Sequence, residues 1–243
     1  MKKGTFIFDG VSSEDLNTLI QSRPSIEAPL RKVEMKSIYG SDGDMPIDEG
    51  AYSNTTLELS MFTNGNDLIG DRQKLYDVLD SRGVYKELIP YFDPDKIYRV
   101  MLSDKVKFDN QEMFGNIQLV TANFSVMPYK YLLANTPVQF INSLNINNPT
   151  NYHSQPIIEV TGTGSVVIKV NGVDFVIKNV PGTIVVNSER YAAYQENVPG
   201  VLTPMNHQIA TREFPVLKPG ANQITVTGSV TNVTIKPRWR SLV

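Results

Sequence analysis

The sequence predicts an all-β protein, mainly strand with one helix: a β-sandwich or split barrel followed by a second β-sandwich. Three observations lead there. Residues 55–61 alternate Thr55, Leu57, Leu59 and Met61 against Thr56, Glu58 and Ser60, the period of a strand with one buried face. Further on, the β-branched runs 166–170 and 173–180 are split by Asn171-Gly172, a hairpin signal because a type I′ turn needs positive φ at both central residues. Convincing helical spacing occurs only over residues 71–82, where Leu75, Val78 and Leu79 share a stripe.

The elements follow in order. Phe6-Ile7-Phe8 is a short opening strand ended by Asp9-Gly10. Ser12-Ser13-Glu14-Asp15 resembles a helix cap ahead of Leu16, Leu19 and Ile20, but Arg23-Pro24 allows only about two turns, and extended structure is preferred. Residues 30–39 form a strand whose charges, Arg31, Lys32, Glu34 and Lys36, mark a long hairpin arm with little core behind it; residues 40–44 are its turn. After the strand at 55–61 comes the helix, with Leu68 upstream and Gly83 placed to take the left-handed position that ends it. Strands at 88–92, 96–102, 105–108 and 114–126 are separated by Asp93-Pro94-Asp95, Ser103-Asp104 and Asp109-Asn110.

Between Asn135 and Gln155 periodicity lapses through Asn142, Asn145, Asn147, Asn148, Pro149, Thr150 and Asn151. The expected organisation is therefore a domain over 1–135, a linker over 136–154 and a domain over 155–243. Residues 233–240 are candidates to return and complete the first domain. Within the second, strands at 157–160 and 166–170 flank a turn through Gly162, Gly164 and Ser165, and strands at 173–180, 183–186, 224–228 and 230–236 follow.

A chain of 243 residues buries roughly 70 to 75% of its unfolded surface without staples. Cysteine is absent, which excludes disulfides, thiolate metal sites and a cysteine nucleophile. With 23 Lys plus Arg against 25 Asp plus Glu, the net charge of −2 supplies no long-range attraction for nucleic acid or anionic lipid. Asp9 stops the first apolar stretch before a signal-peptide core forms, and no run is long enough to span a membrane. Secretion by a signal peptide and membrane insertion are thus not expected.

Catalytic and metal chemistry lack their constellations. His153 and His207 have no zinc-type spacing to each other or to a glutamate. Gly162-Thr163-Gly164-Ser165 lacks the helix that a nucleophile elbow or a phosphate site needs. Asp42, Asp44, Asp48 and Glu49 form the densest acidic cluster, but Pro46 stands where a calcium loop requires a tight glycine turn, and a solvated turn is preferred. No enzyme, cofactor or metal is expected.

Over nearly its whole length the chain resembles the distal tail protein (Dit) family of long-tailed, non-contractile bacteriophages. The N-terminal likeness rests on Phe8-Asp9-Gly10-Val11-Ser12-Ser13, Arg23-Pro24 followed by Pro29, Gly40-Ser41-Asp42-Gly43, Asp48-Glu49-Gly50-Ala51-Tyr52, the helix with Gly83, and Met127-Pro128-Tyr129-Lys130-Tyr131. Gln155-Pro156, the Gly162 and Gly164 turn, Val170-Asn171-Gly172, the stretch from Phe214-Pro215 to Ala221-Asn222, and Pro237-Arg238-Trp239-Arg240 continue it. Ser41 and Asn187 depart from the pattern, standing where a basic residue and an aspartate are expected.

The resemblance implies a tail-tube-like N-terminal domain that forms a hexameric ring and a galectin-like C-terminal sandwich that projects outward. Such a ring would join the tail tube protein to the tail-tip hub and anchor receptor-binding proteins, at a virion tail tip assembled in the host cytoplasm. Candidate oligomer-interface residues on the arm are Lys36, Tyr39, Ser41, Asp42 and Asp44. Arg238, Trp239 and Arg240 are a candidate aromatic and basic interface, read as a closing strand whose indole packs on a core while the arginines pair across the interface. The rival reading is a carbohydrate-binding module for the host cell wall, with Trp239, Tyr191 and Tyr194 as sugar platforms. A tail-associated hydrolase ranks third.

Overall fold

The computed structural model describes residues 1–110 and 117–243, which form two compact units, Met1–Leu133 with Leu242–Val243 and Ala134–Ser241. It is mostly strand with one α-helix among the described residues, as the sequence predicts.

In the first unit the elements are β1 (Phe6–Phe8), β2 (Val11–Ser12), β3 (Thr18–Ile20), β4 (Arg31–Ser37), β5 (Asp44–Tyr52) and β6 (Thr55–Asn64), then α1 (Leu68–Leu79). β7 (Lys86–Pro90), β8 (Lys96–Leu102), β9 (Lys107–Asn110), β10 (Ile117–Val126) and β11 (Tyr129–Leu132) complete it. The sheet runs β2-β1-β7-β8-β10-β6-β3, with β9 on β10 and β11 on β8. Strict alternation on β6 and β10 sends Leu57, Leu59, Met61, Val120, Ala122, Phe124 and Val126 into one core with Phe6, Phe8, Leu88 and Val100. Leu75 and Leu79 of α1 close that core.

Local chemistry moves some boundaries. The helix lies three residues earlier than expected, because the Asp67 carboxylate accepts the Gly70 N–H at 3.0 Å and caps it there. Gly83 has positive φ but sits in the turn beyond the helix, which ends at Asp80 in an extended conformation. Residues 13–17 form a turn between β2 and β3 and not the extended structure expected, because the buried Ser13 hydroxyl accepts the Phe6 N–H at 3.0 Å and the Ser13 carbonyl accepts the Leu16 and Thr18 N–H groups. The expected strand at 114–126 is present from Ile117; its first three residues lie outside the described residues.

The second unit holds β12 (Val138–Phe140), β13 (Ser143–Asn148), β14 (Ile157–Val170), β15 (Val173–Asn187), β16 (Ala192–Val198), β17 (Val201–Pro204) and β18 (Gly220–Lys236). Its sheet runs β12-β18-β14-β15-β16-β17, with β13 also on β18. Two expectations change here. The stretch 136–154, expected as a linker, carries β12 and β13, whose backbones pair with residues 233–235 and 220–225 of β18. Residues 233–236, candidates to return to the first unit, complete β18, whereas the residues that rejoin the first unit are Leu242–Val243, where the Val243 N–H bonds the Pro128 carbonyl at 3.1 Å.

The glycine-rich stretch 162–165 is likewise no turn. It is a bulged segment in mid-strand, with register shifts against both β15 and β18. Buried positions on β18 change from Ile224 and Val226 to Val233 and Ile235, and on β15 from Phe175 and Ile177 to Val180, Ile184 and Val186. Extra residues shift the alternation by one position, so each strand keeps the same face on the core as the sheet curls over it.

At that bend two backbones nearly touch. A Cβ at Gly162 would lie 2.3 Å from the Ser229 carbonyl oxygen, and one at Gly228, where φ is +125°, would lie 2.5 Å from that of Ser165. Gly228→Ala is expected to cost about 1–3 kcal/mol through backbone strain. Urea unfolding followed in the variant checks this, and an unchanged midpoint would refute the close packing.

Candidate functional site

The arm expected from the charge pattern is real. β4 and β5 pair only with each other, as a two-stranded sheet apart from the main one. In their register Met35 opposes Pro46 and Lys36 opposes Met45, while Val33 opposes Asp48 and Glu34 opposes Ile47. Opposed residues share a face. One face therefore shows Val33, Met35 and Pro46, and the other shows Met45 and Ile47 among Lys36 and Glu34.

Apolar side chains on the arm stay in solvent. Met35 is 59% exposed and Leu30 76%, and Val33, Ile38 and Met45 are exposed too. The tip turns on Gly40 and Gly43, both with positive φ, and presents Tyr39 fully. All five arm residues singled out from sequence, Lys36, Tyr39, Ser41, Asp42 and Asp44, sit together around this end of the hairpin, exposed. Sequence reasoning missed the apolar group; the Val33, Met35 alternation was its signal, masked by the intervening charges.

The base of the arm is braced. Arg31 donates from Nε to Asp48 Oδ1 at 2.9 Å and from Nη2 to Oδ2 at 2.7 Å, a bidentate pair, and the Gly50 N–H adds a third bond to Asp48 at 2.8 Å. The same guanidinium lies 4.8 Å from the Tyr52 ring centre, and Tyr52 meets Tyr129 edge-on at 6.0 Å. The Ser53 N–H bonds the Leu30 carbonyl at 2.9 Å and closes the hairpin's root.

Hydrogen bonding to Arg31 first, and then to the Gly50 N–H, holds the Asp48 carboxyl below its ordinary value. A carboxyl depressed in the folded state stabilises the hairpin above its unfolded pKa, and the contribution is lost as pH falls through the lower folded value. Asp48 is expected to titrate below the usual aspartate range and to rise toward it in Arg31→Ala, where the Gly50 N–H bond remains. Carboxyl-carbon NMR titration checks this; an identical midpoint in both proteins would count against the brace.

Arg238, Trp239 and Arg240 lie in the second unit and are buried, with Trp239 only 7% exposed. Asn135 clamps the tryptophan backbone, its Oδ1 accepting the Trp239 N–H at 2.6 Å and its Nδ2 donating to the Trp239 carbonyl at 3.3 Å. Arg238 pairs with Glu189, and Arg240 donates to the His153 carbonyl and to Gln155 Oε1, each at 2.9 Å. These arginine contacts are made within the unit. Burial also removes Trp239 as a sugar platform. Tyr191 is exposed and meets Phe214 edge-on at 5.6 Å.

Neither histidine is near a metal-binding constellation: among the described residues no group of three or more His, Asp or Glu is placed to hold a metal ion. No described helix is long and apolar enough to cross a membrane.

No protein-family model and no curated protein matches the sequence. Among solved structures, the chain is similar to the crystal structure of the Dit (gp 19.1) protein of SPP1, described as a paradigm of the hub adsorption apparatus in phages that infect Gram-positive bacteria. The TM-score is 0.65 at 18% identity, covering 97% of this chain and 99% of that one. The likeness is one of fold, spans both units and agrees with the family resemblance carried by the sequence motifs.

Proposed function

We propose that this chain is a non-enzymatic structural protein of a phage tail, a distal tail protein whose six copies close into a ring through the first unit. One face of the ring engages the tail tube protein and the other the tail-tip hub, while the second unit, galectin-like and outward, holds receptor-binding proteins. The protein acts at the virion tail tip after assembly in the host cytoplasm.

The observation that carries this reading is the β4–β5 hairpin. An isolated two-stranded hairpin is marginal in water, and this one exposes apolar side chains on both faces. A neighbouring copy laid against it would bury them. In a cyclic assembly each subunit offers two different patches, head to tail, and closure prevents open filaments. The fold likeness to SPP1 Dit supports the same reading.

Single-particle images of intact tails test it. Sixfold density at the tube end that fits this chain is expected. A different symmetry, or a position only at the tail periphery, would overturn it.

A further inference from the structure

We propose that the second unit binds a neutral saccharide in a shallow groove lined by side-chain amides. Strand β13 carries Asn145 and Asn147 two residues apart, so both leave the same face. In the ladder with β18 they stand opposite Gln223 and Ala221, and all four are exposed. The short Ala221 side chain leaves a depression between the longer amides. Asn171, in the β14–β15 turn, closes one side, its Oδ1 accepting the Gln223 N–H at 3.0 Å.

The groove is a built feature. Asn222, 2% exposed, holds the turn from below: its Oδ1 accepts from Asn171 Nδ2 at 2.7 Å and from the Lys218 N–H at 2.8 Å, while its Nδ2 donates to the Lys218 and Gly220 carbonyls. Among the described residues, the side chains of Asn145, Asn147 and Gln223 make no hydrogen bond in the chain, leaving both amide hydrogens and the carbonyl of each for a ligand.

Its chemistry selects a class. The groove encloses about 520 Å³, and none of its lining residues is charged. It offers an ionic ligand no countercharge. A carboxamide presents two donors and an acceptor, which matches neighbouring hydroxyls that each donate and accept. Next to it lies a second depression of about 280 Å³, which shares Asn171 and whose lining includes Phe214, Asp174, Glu213 and Lys218. Phe214 is backed by Phe175, with ring centres 5.2 Å apart. It supplies the apolar surface on which the C–H face of a sugar ring can rest, with carboxylate acceptors beside it. Together the two depressions suit a chain of sugars with units on either side of Asn171.

The test uses the isotope-labelled full chain and neutral tetrasaccharides of glucose, of galactose and of N-acetylglucosamine. With at least one of them the Asn145, Asn147 and Gln223 side-chain amide resonances are expected to shift and saturate. Asn145→Ala combined with Asn147→Ala is expected to weaken that binding about tenfold or more, with thermal unfolding unchanged because both positions are exposed. No saturable shift up to about 10 mM of any of the three sugars overturns the proposal. So does a shift that the double variant leaves intact, or saturation by an extended peptide alone. The free chain is the reagent, so failure here leaves the ring untouched.

Discussion

Removal of residues 36–49 is expected to abolish ring formation while both units stay folded. The deleted segment holds the tip, Tyr39, and most of β5, so every apolar contact that the hairpin can offer a neighbour is lost or loses its partner strand. None of the sixteen buried residues in the first unit's core comes from it. The root survives, since the Ser53 to Leu30 bond lies outside the cut. Thermal unfolding of the free protein should therefore change little, whereas tails carrying the deletion should show no sixfold density at the tube end. Met35→Asp and Met45→Asp refine the result, because each places a charge on a different face of the hairpin. If both variants fail, the arm is clasped on two sides; if one fails, a single face is used. Rings that persist after the deletion would remove the arm from the mechanism.

Trp239→Ala is expected to destabilise the second unit by about 3–5 kcal/mol, the range for truncating a large buried aromatic side chain. For a chain of this size that lowers the unfolding temperature by on the order of 10 °C or more. The argument rests on position. The indole is 7% exposed, Asn135 holds the backbone on both sides of the residue, and the neighbouring arginines are buried with partners of their own. Trp239→Phe, which keeps most of the apolar body, should lose much less. Calorimetry on the free protein decides, and an unchanged unfolding temperature in Trp239→Ala would show that the ring fills no essential space.

Sequence legibility followed the range of the interactions. Strand β8 coincides with its expected bounds, 96–102, because alternation and Asp-Pro-Asp and Ser-Asp breaks are local signals. The same rules misled in the second unit. Gly162, Gly164, Pro181-Gly182 and Gly228-Ser229 have the composition of turns, yet each lies within a continuous strand, because partners on both sides hold the backbone extended through the irregularity. Strands β12 and β13 were hidden for a related reason. Strand β13 is Asn-rich and has low strand propensity, β12 is only the three residues Val138-Gln139-Phe140, and the pairing of both depends on β18, far away in the chain.

The candidate site divides in the same way. Charges on a strand followed by a glycine turn announced the arm directly, whereas its apolar content was outweighed by alternating Lys and Glu. Trp239 was placed on a core by its residue type, but its clamp is Asn135, 104 positions earlier. Arg240 reaches back 87 positions to His153. No local pattern encodes contacts at that range.

The single tryptophan gives the protein an optical property of its own. Trp239 is the only indole in 243 residues, and it lies in the second unit, whereas the first unit has none. Red-edge excitation therefore produces emission from one unit alone, shifted to the blue while the ring is sheltered and to the red once it meets water. Far-ultraviolet dichroism, by contrast, sums over both sheets. Melting curves that coincide by the two methods would mean one cooperative transition, and curves that separate would resolve the two units without an added dye or a split chain.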